Sequence, residues 1–198
     1  MGRARAARQR TYSRPPGRDR VLRICVAESA PTTLAAVVTQ VAADTKLTAV
    51  GGRSATLAEW TTTFQLLTVV IDPYTHESAW LLETAGRFLS AFSGADCRVA
   101  WTVTADERDA KRFLGPWADR FLTFADPDRE LVGALELERL PALAYIRQDR
   151  AVVGIAQGWE PEEWEHIGAL VGKVNSWSHP KLPQAGDPGP FEGSPAKG

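Results

Sequence analysis

The run Leu66–Ile71 (LLTVVI) is the feature that most constrains the fold. Six nearly continuous apolar residues of strand length predict a central strand covered on both faces, as in a parallel sheet with helices on either side. The run passes through Asp72-Pro73 into Tyr74-Thr75-His76-Glu77-Ser78, and a helical pattern follows with Leu81, Leu82, Ala85, Phe88, Leu89 and Phe92 on one face. The helix can start with Asp72 as N-cap and Pro73 after it, or with Thr75 as N-cap and His76, Glu77 and Ser78 as its first turn. Either way a strand, an exposed turn and a helix N-terminus converge, and free backbone N–H groups and the helix dipole gather there.

The remaining pattern alternates strands and helices. Residues 21–46 hold a short strand, Val21–Val26, and a helix opened by Pro31 with Leu34, Val37, Val38 and Val41 on one face. Leu47–Trp60 reads as a hairpin turning at Gly51-Gly52, and Thr56 with Glu59 forms a capping box. Cys97–Val103 is a strand. Thr104 with Glu107 is a second capping box, opening a helix that stops at Gly115-Pro116. Phe121–Phe124 is a short strand, and Asp126-Pro127 starts a helix through about Leu137. Leu140-Pro141 precedes the strand Ala142–Ile146, which turns at Gln148-Asp149-Arg150 into Ala151–Ala156; Pro161 begins a last helix. The expected class is α/β, with a mixed central sheet flanked by helices and an N-terminal hairpin extension.

Charge divides the chain further. The first 20 residues hold seven arginines and one aspartate, so the net charge of −1 splits into about +6 on this arm and about −7 on the rest. With almost no apolar content, residues 1–20 are expected to be a disordered basic arm. Arg3, Arg5, Arg8 and Arg10 would carry any contact with nucleic acid, a third functional reading. Residues 47–174 form the expected domain. Residues 175–198, rich in proline and glycine, read as an extended tail without a core of its own, strapped over the body by Trp177 and Phe191. No stretch of 18 apolar residues and no secretory leader is evident, so a cytoplasmic protein is expected.

Two cysteines, Cys25 and Cys97, lie far apart in unlike surroundings, which gives no redox dithiol and no zinc spacing. His76, His166 and His179 fall in separate segments, so no metal or other cofactor is expected. His76-Glu77-Ser78 is not a preformed triad, because consecutive residues do not face one another on a helix. Trp80, Trp117 and Trp159 could line a pocket beside the loop.

Three local patterns together resemble the thioredoxin-like superfamily, in particular its TlpA and redoxin branch: LTAVGGRSATLAEW, DPDRELVGALELERLPALAYI and AVVGIAQGW. The resemblance covers roughly Leu47 to Lys173. The arginine-rich leader and the tail also resemble those of uncharacterised actinobacterial proteins of this type. In the family a dithiol opens the helix after the central strand, a place filled here by His76, Glu77, Ser78 and Ala79. Pro141 matches the family's cis-proline, beside which partner chains pair. The resemblance thus implies a protein without the dithiol that binds a protein partner through Tyr74, Thr75, His76, Glu77, Ser78 and Pro141, with Trp159 exposed nearby. The competing expectation is a divergent oxidoreductase or peroxidase using Cys97 or Cys25.

Overall fold

A computed structural model of the chain describes residues 40–197. In chain order its elements are β1 (Lys46–Ala49), β2 (Ser54–Thr56), α1 (Leu57–Trp60), β3 (Gln65–Ile71), α2 (His76–Ala91), β4 (Cys97–Val103), α3 (Glu107–Leu114), α4 (Trp117–Arg120), β5 (Leu122–Ala125), α5 (Glu130–Ala134), β6 (Arg139–Leu140), β7 (Ala142–Ile146), β8 (Val152–Gln157), α6 (Pro161–Asn175) and β9 (Ser194–Pro195). Seven strands form one mixed sheet in the order β2-β1-β5-β4-β3-β7-β8. Strands β3, β4 and β5 run parallel, and the flanking pairs are antiparallel. A separate two-stranded sheet joins β6 to β9.

The apolar run is central because both of its faces are covered. Leu67, Val69 and Ile71 pack with Leu81, Ala85, Phe88 and Leu89 of α2 and with Trp164, Ile167 and Val171 of α6. Leu66 and Val70 point the other way, into a second core with Leu57 and Trp60 of α1 and Leu131 and Val132 of α5. Each fully buried aliphatic side chain contributes about 2 kcal/mol through removal from water. Thr68, buried between them, shares a hydroxyl–hydroxyl bond of 2.9 Å with Thr102. That bond satisfies both polar groups in an otherwise apolar strand pair.

The capping box at Thr56 and Glu59 forms as expected, with the Glu59 carboxylate accepting from the Thr56 N–H at 2.8 Å. The second box does not. Asp106 caps α3 by accepting from the Asp109 N–H at 2.8 Å, and Glu107 turns instead to Lys111 and the Gly51 N–H. Helix α5 is shorter than its pattern suggests. The Asp126 carboxylate does cap, accepting from Glu130 and Leu131 N–H at 2.7 and 3.0 Å, but Arg129 stands in left-handed backbone (φ 56°), so the helix starts only at Glu130, and Glu136 (φ 53°) is left-handed beyond its other end. Val41, expected on a helix, lies in an extended stretch where Gln40 bridges Ala151 and the Val41 N–H donates to the Arg150 carbonyl. The expected strand Val21–Val26 and the start of that helix lie outside the described residues.

The C-terminal segment is folded onto the body along its described length. The Trp177 indole covers Gly94 and donates to the Ala91 carbonyl at 2.7 Å. Asp187 binds Arg87 and the Thr84 hydroxyl. Phe191 forms an antiparallel bridge with Trp159, β9 pairs with β6, and Ala196 is fully buried in the second core.

Candidate functional site

Parallel strands β3 and β4 end side by side, so the loops after them share one end of the sheet, the usual place for a binding crevice in open α/β folds. Of the two possible helix starts, the chain takes the second: Thr75 is the extended N-cap residue and His76 the first residue of α2. The Thr75 hydroxyl does not cap the helix. It donates to the Ser78 Oγ at 2.9 Å and lies 3.0 Å from the Asp72 carbonyl, while Ser78 Oγ accepts from the Asp72 N–H at 3.0 Å. Ser78 is fully buried in this staple. It therefore holds the loop to the strand end and offers no accessible nucleophile.

Asp72 anchors the loop from below. Its carboxylate is 5% exposed as a residue, accepts from the Tyr74 N–H at 2.9 Å, and is paired with the Arg129 guanidinium at 2.8 Å. Arg129 also donates to the Ala196 carbonyl, so one side chain ties the loop, the start of α5 and the C-terminal segment together. Tyr74 is 70% exposed and donates to Asp109 Oδ2 at 2.6 Å; that bond to a carboxylate pushes its phenol above its ordinary pKa.

At the mouth of α2, His76 is exposed and stacks on Trp80 at 6.3 Å between centroids. Trp80, 59% exposed, meets Phe191 edge-on at 6.0 Å. The Glu77 carboxylate accepts from the Ser194 hydroxyl at 2.6 Å; this bond, its own backbone N–H and the nearby His76 hold its pKa below the usual range. The stabilisation from a depressed carboxylate is full above its unfolded pKa and is lost as pH falls through the folded one. The part of the Ser194 amide shift that follows the Glu77 carboxylate is therefore expected only on the acid side of the ordinary glutamate range. Glu77→Gln should abolish that movement in an NMR titration.

The Leu140–Pro141 peptide is cis. Beside it, Arg139 pairs with Pro195 and Leu140 with Ser194. Trp159 does not have the exposure the sequence suggested. It is 1% exposed, with its N–H and carbonyl bonded to Phe191 and its indole Nε1 donating to the Pro188 carbonyl at 2.9 Å. The physical reason is the C-terminal segment, which lies over it. The three tryptophans also line no common pocket. Trp80 is near Phe191, Trp159 is beneath the segment, and the Trp117 indole packs against Gly86 on α2 and stacks on Phe121.

Cys97 lies at the other end of the sheet. It pairs with Gln65 at the start of β3, whereas the loop leaves from Ile71, six residues or about 20 Å further along. Burial, with a smaller push from Asp96, raises its thiol to about 11. At pH 8 about one molecule in a thousand then carries the thiolate that redox chemistry needs. In a Cys25→Ser background, Cys97 is expected to react with iodoacetamide at pH 8 at least about 100-fold more slowly in the native chain than in denaturant. Cys25, Arg3, Arg5, Arg8 and Arg10 lie outside the described residues. Among the described residues no group of three or more His, Cys, Asp or Glu side chains is placed to hold a metal ion, and no helix is long and apolar enough to cross a membrane. Two shallow depressions lie at the Cys97 end, away from the loop, lined in part by Phe64, Gln65, Asp96, Gln148 and Val174.

Structure thus brings together Tyr74, Thr75, His76, Glu77, Ser78 and Pro141, and adds residues that sequence reasoning missed: Arg129, Asp109, Phe191 and Ser194. Arg129 and Asp72 are far apart in sequence and carry no pairing signal. Phe191 stood out in the sequence as a strap but not as part of this site.

No protein-family model and no curated protein sequence matches the chain. Solved structures do. MTB DsbF, in its mixed oxidised and reduced forms, aligns at TM-score 0.54 and 12% identity over 67% of this chain and 96% of that one. Peroxiredoxin Q of Xanthomonas campestris aligns at TM-score 0.55 and 15% identity over 71% and 97%. A hypothetical protein of Sinorhizobium meliloti aligns at TM-score 0.57 and 17% identity over 81% and 96%. With the sheet order and the helix that follows β3, these likenesses show that the chain has the thioredoxin-like fold.

Proposed function

We propose that this protein is a binding module without redox activity, which engages an extended segment of a protein partner through the Tyr74–Ser78 loop and the backbone edge beside Pro141. The observation that carries this reading is the character of the helix mouth. Where a dithiol would stand are His76, Glu77, Ser78 and Ala79, flanked by the exposed aromatics Tyr74 and Trp80 and by a strand edge able to pair. Exposed aromatic rings beside a pairing edge suit peptide recognition, with main-chain bonds giving affinity and side-chain contacts giving choice. The buried, high-pKa thiol of Cys97 at the far end of the sheet also speaks for it.

The other reading is a divergent thiol oxidoreductase or peroxidase, favoured by the likeness to DsbF and peroxiredoxin Q. That likeness is one of fold, and fold does not fix activity. Disulfide reduction and peroxide consumption, measured on wild type and on the Cys25→Ser, Cys97→Ser double variant, separate the two. The binding reading expects both proteins at background. Turnover by wild type that the double variant loses would sink it.

A further inference from the structure

The edge beside Pro141 already holds a strand, and the strand is the chain's own. Arg139 and Leu140 pair with Pro195 and Ser194, Trp159 exchanges both backbone bonds with Phe191 at 2.8 and 2.9 Å, and the Ala196 N–H donates to the Glu138 carbonyl at 2.8 Å. Side chains complete the contact. Ser194 binds Glu77, Phe191 meets Trp80, Arg139 donates to the Gly193 carbonyl at 3.2 Å, and Arg129 reaches the Ala196 carbonyl.

The fit is specific at two glycines. Gly158 (φ 73°) and Gly193 (φ 84°) both need left-handed backbone, and their main chains approach closely. A Cβ on Gly158 would sit 2.5 Å from the Glu192 carbonyl oxygen, and one on Gly193 would sit 2.6 Å from that of Leu140. No other residue type fits either position without displacing the strand. The contact therefore reads a sequence: an aromatic, any residue, glycine, serine, proline and a small apolar residue that enters the core.

We infer that Phe191–Ala196 is an intramolecular ligand of the Pro141 edge, standing in for a partner segment of the same pattern, aromatic-x-Gly-Ser-Pro-Ala, which enters antiparallel to Arg139–Leu140. This rests on the binding-module reading above and names the partner's chemistry. The paired stretch is short, and such local contacts open more readily than the core. While it is tethered, its effective concentration is about millimolar, so a partner supplied from outside must outcompete it.

The test uses a fluorescein-labelled peptide, GPFEGSPAKG, with the full chain, a chain lacking residues 191–198, and full-length Gly193→Val. Fluorescence anisotropy should show at least about tenfold tighter binding to the shortened chain and to Gly193→Val than to wild type. The Gly193→Val form of the peptide and a scrambled peptide should not bind. Equal binding to all three proteins, or equal binding of the scrambled peptide, would overturn the inference. So would a concentration-dependent dimer that exchanges these segments. If both variants fail to fold, amide exchange in the intact chain decides. Exchange of the Phe191 and Ala196 N–H groups faster than that of Val69 and Val70 supports a releasable ligand, and exchange only at the rate of those core amides overturns it. Cysteine-dependent turnover would defeat the binding-module reading without altering peptide binding, so the two failures are distinguishable.

Discussion

Trp159→Ala is expected to cost about 4 kcal/mol of folding stability, the range for truncating a buried aromatic, and to lower the melting temperature by about 10 °C. The indole is fully enclosed, meets Trp164 edge-on at 5.3 Å between centroids, and donates to the Pro188 carbonyl. Truncation leaves a cavity between α6 and the C-terminal segment and strands that carbonyl. Trp159→Phe separates the parts. It keeps most of the packing but loses the Nε1 donor, so its cost should be about 1–2 kcal/mol. Chemical denaturation of the three proteins checks both numbers. A cost for Trp159→Ala below about 1 kcal/mol would mean that the C-terminal segment does not seal the ring as described.

Arg129→Asn is expected to cost about 3 kcal/mol, because removing one partner of a largely buried pair leaves an uncompensated charge. Asp72 is the charge left behind: its side chain is 7% exposed, against 26% for Arg129. Asparagine tolerates left-handed backbone, so the loss reports the guanidinium rather than the φ of 56° at this position. The double variant Asp72→Asn, Arg129→Asn should recover much of the loss, and the cycle then gives the coupling directly. Independent, additive costs would show that the pair does not tie the loop to α5.

Much of this architecture was legible because its signals are local. Cys97–Val103, Ala142–Ile146 and the start of α6 at Pro161 fall where the pattern put them. Each is bounded by turn chemistry or an X-Pro step and carries its own apolar period. The loop itself was legible as a place, since a buried strand followed by polar residues and an amphipathic helix has few alternatives. Misread positions were those decided at a distance. Thr104 has the right spacing for a capping box, but its hydroxyl lies against the Ile71 carbonyl, and Asp106 is left to cap. Helix α5 starts late because Arg129, which reaches Asp72 and the Ala196 carbonyl, stands in left-handed backbone, and it ends before Glu136, which is left-handed too. Trp159 looked exposed because its cover comes from Pro188 and Phe191, about 30 residues later in a stretch with no alternating apolar pattern. A strand held by two glycines and a few backbone bonds leaves almost no trace in hydrophobicity.

The central claim is that recognition happens at the edge beside Pro141, and a backbone NMR titration addresses it most directly. A ¹⁵N-labelled chain lacking residues 191–198 would be titrated with unlabelled GPFEGSPAKG. The account predicts shifts confined to His76, Glu77, Trp80, Glu138, Arg139, Leu140, Gly158 and Trp159. Shifts clustered instead at Phe64, Gln65 and Val174 at the far end of the sheet, or no shifts at millimolar peptide, would contradict it.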